Sequence, residues 1–71
     1  MFLITLSGKT IVIDIETCES ILDLYDLHRK MFDIPVKYIR LEHQAKTLLL
    51  NNMSLKEYNI TNDSYVHVHL R

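Results

Sequence analysis

Only one stretch of this chain is long and regular enough to be a full helix, and that restricts what the rest can build. Ile21–Phe32 carries apolar residues at helical spacing, with Ile21, Leu24 and a residue near Leu27 or His28 forming the stripe to be buried. Ser20 followed by Asp23 reads as a capping box, with Asp in place of the usual Glu. Pro35 disfavours helical geometry at Ile34, so the helix must stop near Phe32 or Asp33. One amphipathic helix needs a sheet to lie on, and the flanking segments supply it.

Phe2–Leu6 and Thr10–Ile15 are rich in β-branched and long apolar residues, and Ser7-Gly8-Lys9 separates them as the turn of a hairpin. Ile11, Ile13 and Ile15 alternate with Val12 and Asp14, which places the isoleucines on one face. After Pro35, Tyr38–His43 and Thr47–Leu50 read as short strands around Gln44-Ala45-Lys46. Asn51-Asn52 marks a turn, Leu55–Tyr58 one short helical turn, and Asn62-Asp63-Ser64 the turn before a last strand, Tyr65–Leu70. There Val66 and Val68 alternate with Tyr65, His67 and His69. Residues 1–71 thus form a single α+β domain, a sheet wrapped on one helix, without repeats or linkers.

A domain this small must hold itself together by burial. Ordering 71 residues costs on the order of 100 kcal/mol, at ~1.5 kcal/mol per residue. Cys18 is the only cysteine, which excludes an internal disulfide, a four-cysteine zinc site and a cysteine-ligated iron–sulfur cluster. The 48% apolar content suits a folded core and argues against disorder. No apolar run approaches a membrane span, and Met1–Leu6 runs into Ser7-Gly8-Lys9 without the pattern of a signal peptide. The expected setting is a reducing compartment, cytoplasm or nucleus. Eight basic residues against nine acidic ones leave a net charge of −1, which gives nucleic acid nothing to favour.

Catalytic equipment is also missing from the pattern. Cys18 has no histidine or aspartate arrangement around it that resembles a nucleophile set. Gly8-Lys9-Thr10 lacks the upstream glycine and following helix of a phosphate-binding loop. The chain is expected to be no enzyme and to need no cofactor. It reads as a monomer that works by binding protein.

A set of segments, in order and at nearly constant spacing, narrows this further. They are Thr5–Ile11 around the first turn, Ile34-Pro35 after the helix, Arg40-Leu41 in the third strand, Leu55–Ile60, and His67–Arg71 in the closing strand. Together they resemble the ubiquitin family over essentially the whole chain. The resemblance implies a ubiquitin-like β-grasp fold, with a mixed four- to five-stranded sheet on one α-helix. It puts Leu3 inward and Phe2 and Ile4 outward. A tighter two-residue turn at Ser7-Gly8 would bring Phe2 and Ile4 to the core instead, because a one-residue shift flips every side chain. The likeness of the Thr5–Thr10 turn favours the first assignment. The expected core is Leu3, Ile11, Ile13, Ile15, Ile21, Leu24, Leu41, Leu48, Leu55, Ile60, Val66 and Val68.

The family's outward apolar recognition patch corresponds here to Leu6, Glu42 and His69, flanked by His67, Arg40 and Lys46. Only Leu6 stays apolar. Covering Glu42 with the apolar groove of an ordinary ubiquitin receptor would cost several kcal/mol, so such receptors are expected to ignore this chain. A conjugated modifier needs a Gly-Gly tail, and the one glycine is Gly8, in a turn. The expectation is therefore a non-covalent interaction module, a domain of a longer protein in or near the ubiquitin system. The alternative is a covalent modifier whose Gly-Gly tail lies beyond Arg71. Lys9 and Lys46 stand where ubiquitin carries chain-forming lysines, but most other such positions hold Ile4, Tyr25, Leu27, Met31 and Asn62, against chain building.

Outward Phe2, Ile4, Val12 and Tyr65 are expected to lie together on the first, second and last strands, as a contact surface for a protein partner. His67 and His69 with Glu42 form a solvated polar face rather than a zinc site, since a structural zinc takes four ligands. A pH-sensitive contact there is the better reading. Met31, Phe32, Leu49 and Leu50 are further apolar residues near loops, placed to cover the core's edge or to dock on a neighbouring domain.

Overall fold

Apolar segments at both ends of the chain meet in one mixed sheet, described by a computed structural model of residues 1–71. Its strands are β1 (Phe2–Ile4), β2 (Thr10–Val12), β3 (Ile39–His43), β4 (Lys46–Leu48) and β5 (Tyr65–Leu70), in the order β2-β1-β5-β3-β4. β1 and β5 run parallel at the centre, and every other neighbouring pair is antiparallel. Helix α1 (Ile21–Phe32) provides the crossover, as a parallel pair requires. Short 3-10 turns fill Ile15–Thr17, Val36–Tyr38 and Lys56–Tyr58.

The first hairpin settles which face of β1 is inside. Gly8 N–H donates to Thr5 C=O at 2.9 Å and Thr5 N–H to Lys9 C=O at 2.8 Å, with Gly8 at φ 86°. This is a type I turn followed by a left-handed glycine, and it pairs Ile4 with Thr10. Met1 and Leu3 are buried, and Phe2 and Ile4 face out. β5 spans its expected Tyr65–Leu70, whereas the other four strands are shorter than their sequence patterns. β1 ends at Ile4 rather than Leu6. β2 ends at Val12, although Ile13 N–H still reaches Met1 C=O at 2.8 Å and the Met1 amine reaches Ile13 C=O at 2.9 Å. Ile15 leaves the strand because Asp14 caps a 3-10 turn, its Oδ1 accepting from Glu16 N–H at 3.0 Å. β3 loses Tyr38 to a 3-10 turn, and β4 spans Lys46–Leu48 because Gln44 and Ala45, at φ 52° and 64°, make a tight turn that brings Lys46 into register with His43.

Helix α1 has the predicted ends. Ser20 Oγ accepts from Asp23 N–H at 3.2 Å, and Asp23 Oδ2 accepts from Ser20 N–H at 3.3 Å, a reciprocal box. Asp33 closes the helix in the left-handed region, donating its N–H to Arg29 C=O. Two further N-terminal amides are met from outside the helix: Ile21 N–H by Met53 C=O at 3.0 Å and Leu22 N–H by Asn51 C=O at 2.9 Å.

The core contains Leu3, Ile13, Ile21, Leu24, Leu41, Leu48, Leu55, Ile60, Val66 and Val68, with Ile11 and Ile15 only half-buried at its margin. It also takes in Met1, Cys18, Ile39 and, at the helix–sheet interface, Tyr25. The Tyr25 hydroxyl donates to Leu48 C=O at 2.6 Å and accepts from Leu41 N–H at 3.1 Å. Leu41 and Leu48 face each other in register, so one side chain of α1 grips both strands of the β3–β4 ladder. Tyr25→Phe keeps the ring and removes the bridge. We expect a loss of about 2 kcal/mol from leaving two buried backbone groups short of a partner. That corresponds to a fall in Tm of roughly 10 °C for a domain this size, measurable by calorimetry.

His28, one turn beyond Leu24, is buried against Phe32, with ring centroids 4.8 Å apart, and its Nδ1 has no partner. Burial pushes its pKa below the ordinary 6.5. Between that lowered value and 6.5 the unfolded chain binds more protons than the folded one, so stability rises with pH across this window. It is lost on acidification below 6.5. Urea denaturation at about pH 7 and about pH 5 should show a smaller acid-induced drop for His28→Leu than for the wild type. Equal drops would remove His28 as the cause.

Candidate functional site

Register places the outward side chains in rows across the sheet. Val12, Phe2 and Tyr65 are neighbours on β2, β1 and β5. The next row is Thr10, Ile4, His67, Glu42 and Thr47, and the third pairs His69 with Arg40. The face therefore has an apolar end and a charged end, joined at His67.

At the apolar end the rings of Phe2 and Tyr65 stack, with centroids 4.9 Å apart and planes 24° from parallel. Phe2 is half-buried by this pairing, whereas Val12 is 73% and Tyr65 54% exposed. The Phe2–Tyr65 stack is a cross-strand pair that fixes two aromatic side chains before any partner arrives, so little rotamer entropy is left to lose on binding. Ile4 continues the surface towards His67.

At the charged end Glu42 lies between two cations or potential cations. Its Oε2 is 2.9 Å from His69 Nε2 and its Oε1 3.6 Å from an Arg40 terminal nitrogen. The Glu42 side chain is only 21% exposed. The carboxylate is thus matched inside the chain and is not the lone charge that its sequence position suggests. The His67 and His69 rings lie 6.2 Å apart. No group of three or more His, Cys, Asp or Glu side chains is arranged to hold a metal ion.

Two residues of the sequence-derived patch sit elsewhere. Lys46 is in register with His43, whose side chain is buried, so alternation gives it the parity opposite to Glu42 and Thr47. Leu6 lies in the turn after β1. There it lines a cavity of about 140 Å³ with His28, Phe32 and Ile34, near the C-terminal end of α1. Phe2, Ile4, Val12, Arg40, Glu42, Tyr65, His67 and His69 are the ones brought onto a single face.

A second feature lies away from the sheet face and from every residue expected to bind a partner. A groove of about 510 Å³ runs between the Ile15–Thr17 turn and the segment Ser54–Thr61, floored by Ile15, Cys18, Leu55 and Ile60. Its signal was present: five of the nine acidic residues fall between Asp14 and Asp26, where no lysine or arginine occurs. Cys18 on the floor is not an activated nucleophile. Burial raises its thiol pKa, more than offsetting the Thr17 hydroxyl contact, and Asp23 adds to the rise.

The whole chain, residues 1–71, matches the model of the ubiquitin family. No curated protein matches it. Among solved structures it is similar to the solution structure of a computationally designed protein based on the template of human erythrocytic ubiquitin. The TM-score is 0.84 at 22% identity, over 100% of this chain and 89% of the other, a likeness of fold. The order hairpin, crossing helix, hairpin and closing central strand agrees with that likeness of fold, and the match to the family model over its whole length shows that this chain belongs to the ubiquitin family.

Proposed function

We propose that this ubiquitin-like domain is a non-covalent protein-interaction module, a domain of a longer protein acting in or near the ubiquitin system in the cytoplasm or nucleus. Its recognition surface is the outward sheet face, centred on Phe2, Ile4, Val12 and Tyr65 and bordered by His67, His69, Glu42 and Arg40. The observation that carries this reading is the exposed Phe2–Tyr65 stack. Pre-ordered aromatic area on a rigid sheet is what hot spots of protein interfaces are made of.

The charged end sets the specificity. A partner that covers Glu42, Arg40 and His69 must replace the water around a paired acid and base, which an apolar groove does not do. Recognition by ordinary ubiquitin receptors is therefore disfavoured. The exposed Met31, Phe32, Leu49 and Leu50 support a neighbouring domain as a further contact.

Affinity capture with the intact domain, compared with Phe2→Ala plus Tyr65→Ala, tests the surface. The double variant should keep its circular dichroism spectrum and lose about a hundredfold in affinity for whatever the wild type retains, the scale of removing an aromatic anchor. Unchanged capture would sink the proposal. A titration with a standard ubiquitin-binding domain should show no saturation in the micromolar range, and a micromolar Kd would overturn the argument from Glu42.

A further inference from the structure

The groove beside the Ile15–Thr17 turn shares no residue with the outward sheet face, and its chemistry is different. Its floor is apolar and rigid: Cys18, Leu55 and Ile60 are each buried, and Ile15 packs against the core from the rim. Both walls are held in place. Thr17 Oγ1 donates to Asp14 C=O at 2.7 Å on one side, and Ile60 N–H donates to Leu55 C=O at 3.0 Å on the other. Leu55 N–H donates to Glu19 C=O at 3.3 Å, tying the walls together at one end.

The carboxylates around it fall into two kinds. Asp14 and Asp23 accept hydrogen bonds from backbone N–H groups, of Glu16 in the first case and of Glu19 and Ser20 in the second. Asp26 is paired with Lys30 at 2.9 Å. Glu16 and Glu19, which line the groove, have neither a hydrogen bond nor an ion pair to their side chains, and both are exposed. Lys56 on the facing wall forms no ion pair with them. The groove thus combines an apolar floor with two uncommitted negative charges at its mouth.

We infer that this groove is a second docking site, which takes the side chain of an arginine or lysine from a basic segment of a partner protein. The aliphatic stem of such a residue lies along Ile15, Leu55 and Ile60 while its cationic head meets Glu16 and Glu19, the division of labour that long basic side chains allow. A purely apolar occupant would strip water from both carboxylates without replacing it. An acidic occupant would be repelled. Arginine adds a planar fork suited to paired carboxylate oxygens.

A blocked peptide with a central arginine flanked by leucines, and its counterpart with neutral citrulline in place of the arginine, provides the test. Titrated into the ¹⁵N-labelled protein, the arginine peptide should shift the amide signals of Ile15–Glu19 and Leu55–Thr61, and added salt should weaken it. Glu16→Gln plus Glu19→Gln should weaken binding at least about tenfold. Lys56→Gln should strengthen it, and Asp33→Asn, an acid removed at the other end of α1, should leave it unchanged. These are exposed positions, and an unchanged spectrum of the free variants confirms their fold. Equal binding of the citrulline peptide, equal weakening by Asp33→Asn, or shifts centred on Phe2 and Tyr65 would each overturn the inference. Phe2→Ala plus Tyr65→Ala should leave the peptide's affinity intact, so this site and the sheet face stand or fall separately.

Discussion

The Tyr25 hydroxyl is the only side-chain hydrogen-bonding link between the helix and the sheet, and the rest of the architecture depends on where it is made. Packing of Ile21 and Leu24 against Leu3, Leu41 and Val66 holds the helix on the sheet, but apolar contact is non-directional and tolerates sliding and rotation. A hydroxyl that must meet Leu41 N–H and Leu48 C=O together does not. It fixes the height of α1 relative to β3 and secures the free end of β4, an edge strand with one neighbour. The chain leaving β4 then reaches the first turn of α1 at Asn51 and Met53, and from there forms one wall of the groove. Arg40 and Glu42, on either side of Leu41, are aimed outward by the same anchoring.

The two ends of the outward face follow from different causes. All of Met1–Ile4 is apolar, so hydropathy alone cannot tell which half of β1 faces in. The turn decides it. Gly8 in the left-handed region adds a residue to the loop, pairs Ile4 with Thr10, and so leaves Phe2 outside to stack on Tyr65. The charged end owes its form to β5, where His67 and His69 alternate with buried Val66 and Val68 and therefore land beside Glu42.

Most of the scaffold was legible in the sequence because it is written in strong local signals: the Ser20–Asp23 box, the Pro35 stop, Gly8 in its turn, and the valines of β5. What was not legible is set by tertiary context. Ile15 continues an alternating pattern, yet the Asp14 side chain offers the backbone a competing partner and the strand ends early. Tyr25 stands outside the expected core and His28 shares the stripe position with Leu27, and only the sheet opposite makes a buried hydroxyl satisfiable and leaves a histidine nitrogen bare. Leu6 and Lys46 were assigned to the face by correspondence with the family patch. The turn moves one towards Phe32 and strand parity turns the other away.

The distribution of acidic groups gives these surfaces their separate characters. A carboxylate contributes to recognition when binding improves its surroundings, and that depends on what already surrounds it. Glu42 is matched by His69 and Arg40, so a partner that covers it must preserve that pairing or supply an equivalent. Glu16 and Glu19 have no partner to lose, and a cation brought to them gains attraction without breaking an internal pair. The same side-chain chemistry is therefore internally paired on the sheet face and uncommitted at the groove. Both occur in a chain with a net charge of only −1 because Arg40 stands beside Glu42, whereas Asp14–Asp26 holds five acidic residues and no lysine or arginine.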